Sequence, residues 1–590
     1  MAALVERRTL SLVAAVTGVV LVVLFYYPIA TVFVEAVVVS GRVTLDAFGA
    51  VVADPFYVGW LAGLASDPVG FAGRVARDPA LLTGSLGLLG FTAYQALLST
   101  IASVALGLPG AWILARFEFR GRETLRSLTI LPFVLPSIMV AIGFVATFGK
   151  NGTLNAVLRA LGVGEVSLLF TLEAVIVAHA FYNAPLVARV TTAAWESVDA
   201  GAVETARSLG ANPRKAFLDV IAPQLYPAVL MGATLTFVFT FASFPIVLAL
   251  GGFQLATVEV WIYGLVGDLE YTEAAALAAI ETGISLVLTY AYLRYEARQG
   301  AGRRGSRPLS RRPLWPETWT PGAALTRLAV AGYGVVVAVV FLGPLASMAL
   351  ASLTTGDGAF TLAHFAFLLE RQTAGASFQV KPLPAVLNSL ALGVTTLLLA
   401  LPMGVALSVL TTRRYRGRTL VDALTMAPLA VSGIVVGLGM LRGLVFGVVV
   451  FGYRITVTGW VAIALAHAVA AYPFVVRMVA PLLGDLDRAM VESARSLGAS
   501  RARALWDVEL PLVWPGVVAG AAFAFAISVG EFDATVILAQ GSGAYTMPVA
   551  VQRFIGRRLG PATAMGVVLL CVTAGSFVVI ERFGGRLGEL

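Results

Sequence analysis

Twelve stretches of mostly apolar residues recur along this 590-residue chain, near 10–38, 83–114, 125–148, 166–188, 225–250, 272–293, 324–350, 385–411, 421–446, 457–480, 513–540 and 562–581. A hydrocarbon layer about 30 Å thick is crossed by a helix of about 20 such residues, and lipid offers no hydrogen-bond partner to an open backbone. The pattern predicts an all-α polytopic membrane protein with about 12 transmembrane helices. Composition agrees: 58% of residues are hydrophobic, 13% are charged and the mean hydropathy is +0.88, whereas soluble proteins carry about 25% charged residues. The first stretch is far longer than the roughly 7–15 apolar residues of a signal peptide. It is expected to remain in the membrane as an anchor.

A formal net charge of +8 raises the question of a polyanionic partner. The basic residues are not gathered on a soluble face, however. With the first span starting inside, the cytoplasmic segments are 1–9, 115–124, 189–224, 294–323, 412–420, 477–512 and the tail; with Arg126 at the membrane edge they hold 28 of the 41 Lys and Arg. This is the positive-inside bias. The charge thus reports topology, with both termini cytoplasmic and no nucleic-acid partner implied. Only three of the 41 are Lys, a bias in keeping with a GC-rich prokaryotic genome that decides nothing by itself; a prokaryotic cell membrane is the expected location. The lone Cys571 cannot form an internal disulfide.

The chain also repeats itself. His179 and His467, Pro185 and Pro473, Arg189 and Arg477, Asp199 and Asp487, Glu204 and Glu492, Gly210 and Gly498, Pro223 and Pro511, and Pro227 and Pro515 are all 288 residues apart. Upstream the spacing becomes 296, linking Arg120-Gly121-Arg122 to Arg416-Gly417-Arg418 and Pro132 to Pro428, because the loop around 149–165 is longer in the first half. Such a register means duplication, and an even number of spans per half makes the copies parallel rather than inverted. The expected organisation is a first half over 1–298, a cytoplasmic linker over 299–322 rich in Arg, Pro and Gly, and a second half over 323–590.

The best-matched piece is polar: VETARSLGA from Val203 returns as VESARSLGA from Val491. Segments 199–223 and 487–511 both lie between the fourth and fifth spans of their half. Asp199 and Asp487 are good N-caps, and Gly210 and Gly498 stand where a left-handed residue ends a helix. Asn212 then caps a second helix with Pro213 at its first position, and Ser500 does the same in the other copy. Pro223 and Pro511 mark the expected bend of that second helix toward the membrane. A short helix, a glycine corner and a re-entering helix give a rigid exposed face suited to receiving a push from a soluble partner.

This phrase resembles the EAA loop of ABC importer permeases, in which Glu-Ala-Ala is followed by three residues, a Gly and a run ending in Leu-Pro or a similar pair. Here Glu204-Thr205-Ala206 leads to Gly210 and Ala222-Pro223, and Glu492-Ser493-Ala494 leads to Gly498 and Leu510-Pro511, with Thr or Ser at the first Ala of the motif. The likeness extends to the RGR turn and the AHAFYNAPLVAR segment. It implies that these residues form coupling helices for two ATPase subunits, which bind the ATP and Mg, and that an extracytoplasmic binding protein delivers the cargo. The nearest phosphate-loop match in this chain, GFVATFGKN from Gly143, has one residue too many between its glycines and Asn in place of Ser or Thr. No hydrolase motif is present either, so the chain is expected to be no enzyme and to bind no cofactor or metal. The rival class is a secondary transporter, which shares the parallel halves but has no need of paired docking helices.

Cargo residues are sought among charges inside spans, which are costly and mark function. Glu531, Phe532 and Asp533 lie in SVGEFDATVIL of the eleventh span, opposite Ser243, Phe244 and Pro245 of the fifth. The GEF segment resembles one found in permeases for anions and cations alike, so Glu531 reads as a packing or gating element and Asp533 as the cargo contact. Glu281 reads as packing. His179 and His467 each stand alone on their span, short of the three or more ligands that a metal needs. The fused layout resembles ferric iron and thiamine permeases, and SFPIVLALGGFQLATVEVWIY most resembles the thiamine group. Thiamine is thus the expected cargo, a flat cation for which Phe244, Phe253, Trp261 and Tyr263 offer aromatic faces. Trp261 and Tyr263 read more simply as interfacial belt residues. Ferric iron, or another small ion or polyamine, is the alternative.

Overall fold

A computed structural model describes residues 15–584 apart from 40, 61, 64–66, 68, 71–72, 75–84, 129–134, 300–306, 316–319, 371–379, 414 and 540–543. Among the described residues, 9 helices are long and apolar enough to cross a membrane, and 11 spans result if two sharply bent pairs are each counted as one. The first half supplies Ala15–Val37, Gly87–Arg116, Leu172–Glu196, Pro213–Phe241 and Tyr271–Glu296; the second supplies Pro321–Leu353, Pro382–Thr412, Trp460–Asp485 and Leu559–Ile580. The bent pairs are Arg418–Ala430 with Gly433–Val445, at 96°, and Arg501–Leu512 with Trp514–Gly530, at 76°. The expected span 125–148 is described as the helices Arg122–Leu128 and Ser137–Phe148, and Pro132 lies outside the described residues. So do the expected cytoplasmic ends 1–9 and 585–590 and parts of the linker.

These helices carry hydroxyls through an apolar medium by bonding them to their own backbone. Thr92 donates to Leu88 O at 2.7 Å, Thr100 to Ala96 O at 2.8 Å, Ser103 to Ser99 O at 2.7 Å and Thr192 to Ala188 O at 2.7 Å. The bends are placed differently from the sequence expectation. In the second half the break falls at Val513, between Pro511 and Pro515. In the first half the helix runs unbroken through the equivalent Pro223 and Pro227, although Pro223 follows a wide π-type turn at Phe217–Ile221 just as Pro511 follows one at Leu505–Glu509, so the prolines alone do not set the break.

The halves are interlocked by their first helices. Ala15–Val37 leans on the second half: Tyr26 donates to Leu424 O at 2.7 Å, Thr31 to Gly439 O at 3.3 Å, and Glu35 pairs with Arg442 at 2.6 Å. A Cβ at Gly439 would meet Pro28 O at 2.6 Å, so only glycine allows this approach. Reciprocally, Pro321–Leu353 leans on the first half. Tyr333 donates to Leu106 O at 2.7 Å, Phe341 stacks on Phe181 at 5.1 Å, and Gly143 lies against the Pro344 carbonyl.

Candidate functional site

The repeated polar phrase forms two near-identical turns. Helices Ala200–Ser208 and Arg488–Ser496 start at Asp199 and Asp487, whose carboxylates accept from Gly201 N at 3.1 Å and Ala489 N at 2.9 Å. Each ends in a paired carbonyl cap: Gly210 N donates to Arg207 O and Ala211 N to Ala206 O, both at 3.0 Å, and Gly498 N to Arg495 O at 3.0 Å and Ala499 N to Ala494 O at 3.1 Å. Gly210 and Gly498 have φ of 92° and 91°. Asn212 Oδ1 accepts from Lys215 N at 2.8 Å and Ser500 Oγ from Arg503 N at 3.2 Å, capping the second helices. Glu204, Thr205, Glu492 and Ser493 are exposed on these turns, Ala206 and Ala494 half-buried. Leu209 and Leu497 at the corners are 83% and 89% exposed, which leaves apolar knobs for something to cover.

A second pair of corners lies where the halves face one another. Helix Pro213–Phe241 stops before Pro245–Leu250, and Trp514–Gly530 stops before Asp533–Leu538, which leaves residues 243–244 and 531–532 as unwound corners. Phe244 and Phe532 stack across this junction with centroids 5.5 Å apart and planes 13° apart, both buried. They are equivalent positions of the duplication, so the pair marks the pseudo-twofold axis.

Each corner is tied to the histidine of its own half. His179 bonds Ser99 at 3.0 Å and Ser243 at 2.9 Å. His467 bonds Ser528 and Thr535 at 2.8 Å each, and Glu531 lies 3.1 Å away. Glu531 also accepts from Ala534 N at 2.7 Å and Thr535 N at 3.0 Å, and from the Thr535 hydroxyl. That carboxylate is therefore occupied by a helix N-terminus, a hydroxyl and an imidazole. Reading each span alone found no carboxylate near His467, because Glu531 arrives from a neighbouring helix.

Asp533 is placed otherwise. It lines a cavity of about 150 Å³ with Leu135, Pro136, Ser137, Tyr182, Gly530 and Phe532. Its side chain rests on Gly433, where a Cβ would come within 3.1 Å of Oδ2. The structure thus brings Ser243, Phe244, Glu531, Phe532 and Asp533 to one junction, while the residues expected to meet an ATPase sit on the separate paired turns.

A family model described as "Binding-protein-dependent transport system inner membrane component" matches residues 107–298 and again 386–588. The chain belongs to that family. It is an ABC importer permease with two fused copies of the membrane component. The chain is similar to the ferric transport system permease protein FbpB of Actinobacillus pleuropneumoniae, 24% identical over 85% of this chain and 70% of that one. It is also similar to the thiamine transport system permease protein ThiP of Salmonella typhimurium, 27% identical over 84% and 88%. The molybdenum transport system permease protein ModB of Azotobacter vinelandii matches at 31% over 35% of this chain and 92% of its own length, as a single half would.

The permease holds one more acidic feature, which no motif in the sequence marks as a site. Glu259, on the helix Val258–Gly267, and Glu281 are fully buried and lie within reach of each other, with Ser432 and Asp533 nearby. Among the described residues no well-formed hydrogen bond reaches their four carboxylate oxygens, Ser432 being the hydroxyl closest to Glu259. Two adjacent bare charges are costly in such a medium, so the pair needs a shared proton or a cation between its members. Glu281 alone reads as packing; its partner Glu259 lies between two of the apolar runs, on the neighbouring helix, and is brought to it by the fold.

Proposed function

We propose that this permease imports an organic cation, thiamine, handed over by an extracytoplasmic binding protein and driven by two ATPase subunits seated under the turns 199–223 and 487–511. Asp533 carries the reading: it is a carboxylate facing a cavity beside Tyr182 and Phe532, and a flat cation finds charge and aromatic faces there together. The thiamine permease relative, aligned over most of both chains, supports the same cargo. At about 150 Å³ the cavity is below the roughly 300 Å³ of small-molecule sites, so the path is closed in this state and must widen. ATP-driven closure of the ATPase pair, carried through Glu204, Thr205, Ala206, Gly210, Pro223, Glu492, Ser493, Ala494, Gly498 and Pro511, would part the corners at Phe244 and Phe532. In this reading the turns and both termini are cytoplasmic, the membrane is a prokaryotic inner membrane, and ATP and Mg belong to the partners.

Ferric iron is the second reading, favoured by the ferric permease relative and by the oxygen-rich pair Glu259 and Glu281, which suits a hard cation. Uptake of labelled thiamine and of ferric iron into vesicles carrying the complete system separates the two. Thiamine accumulation that requires ATP supports the proposal; iron accumulation without thiamine replaces the cargo; accumulation without any ATPase subunit overturns the coupling mechanism.

A further inference from the structure

The segment joining the halves is built into the first coupling turn. The Arg307 carbonyl accepts from Ala200 N at 2.8 Å, one of the donors that a helix N-terminus leaves open, while the Asp199 side chain takes the next. Leu309 packs on the small core of Ala115, Trp195, Val198 and Ile221. Arg311 bridges Glu118 at 3.5 Å and Glu196 at 3.0 Å. Arg312–Pro313 pairs in parallel with Phe117–Glu118, and Arg327 of the next span holds Leu314 O at 2.7 Å. Residues 307–314 therefore form a strap fastened to the coupling helix as one body. Among the described residues no segment does this for the second turn, where Arg413 bonds both oxygens of Glu509 instead.

The strap carries exposed positive charge. Arg307 is 76% exposed and pairs with the exposed Glu204 of the coupling helix at 3.4 Å, while Arg312 is exposed and close enough to Arg116 for the two to repel. These groups flank the exposed knob-bearing turn, so whatever seats on that turn meets them. We propose that the strap 307–314 is a second docking segment for the ATPase subunit under the first half, presenting Arg307 and Arg312 to acidic groups on that subunit. The inference rests on the coupling role given above to the turns. The two ATPase contacts are then unequal, one made by turn and strap, the other by the turn alone.

The test uses the full transporter in nanodiscs with Cys571→Ala as background. Ser310→Cys in the strap and Ser208→Cys in the coupling helix are each treated with a short bis-maleimide. Adducts to the ATPase at both positions support the proposal. An adduct at Ser208→Cys alone overturns it and leaves the coupling role standing; no adduct at either overturns both. In parallel, Arg307→Glu with Arg312→Glu should weaken ATPase retention about tenfold and flatten its salt dependence, while Arg294→Glu on the same side should change neither. Retention by the double variant equal to that of the parent overturns the proposal, and an effect of the double variant that appears only with anionic lipid and not in neutral nanodiscs assigns the strap to the membrane surface and overturns it too.

Discussion

Positions 243 and 531 are one place in two copies, and the residues there have parted company. Ser243 offers His179 a neutral hydroxyl, whereas Glu531 offers His467 a charge and closes a helix N-terminus as well. Charge-assisted bonds of this kind contribute about 1.5–3 kcal/mol each. Glu531→Gln turns one acceptor into a donor against those N–H groups, so the purified permease should unfold at lower temperature, and basal ATP hydrolysis of the complex should change without cargo. Among the described residues Asp533 makes no such bonds. Asp533→Asn should leave the melting temperature nearly unchanged and cut thiamine uptake about tenfold or more, the scale of a lost charge contact. Gly433→Ala should resemble it, because the added methyl would sit 2.6 Å from Asp533 Cβ and push the carboxylate aside. A Gly433→Ala permease with normal uptake would show that the Asp533 position is not critical. Glu531 and Asp533 were legible in sequence because a charge inside an apolar run is conspicuous. Glu259 was not, since it lies between two runs and gains its meaning only from contact with Glu281.

At the level of elements, local signals were the legible ones. Asp199, Asp487, Asn212 and Ser500 cap the helices they were expected to cap, because capping depends on residues within a turn of each other. The bend at Val513 and the strap were not legible, since both depend on what lies alongside. The glycine corners allow a clean test of the turns. Nothing lies within 4 Å of a Cβ built on Gly210 or Gly498, so a substitution there meets no crowding and costs only backbone strain at positive φ. That cost is about 1 kcal/mol for a residue with a Cβ and more for a β-branched one. Gly210→Val and Gly498→Val should insert normally yet lose most uptake and ATPase retention, while Gly210→Asn, which tolerates the left-handed region, should keep both. Equal transport by the Val and Asn variants would count against a role for the corner geometry.

For the whole molecule, the decisive property is that neither half is complete without the first helix of the other. Tyr26, Thr31 and Glu35 hold the second half, and Tyr333, Phe341 and Pro344 hold the first. The apolar runs made the helical, membrane-spanning class legible, with about 12 spans expected against 9 to 11 among the described residues, but composition cannot say which half a helix joins, because lipid and protein interior are equally apolar to it. The exchange predicts the behaviour of a severed chain. With the peptide cut between Trp315 and Pro321, the fragments should still co-purify, since the contacts of Ala15–Val37 and Pro321–Leu353 do not involve the cut. The linker normally keeps the halves at an effective concentration of about 1 mM, so weakening one clasp should matter only after cutting. Arg442 is such a clasp: it pairs with Glu35 and covers the rings of Tyr271 and Phe446 at 4.8 and 5.0 Å. Arg442→Ala should therefore be tolerated in the intact permease and release the second fragment from the severed one, read by pull-down through a tag on the first. Severed fragments that separate even with Arg442 present would mean that the linker, not the exchanged helices, holds the transporter together.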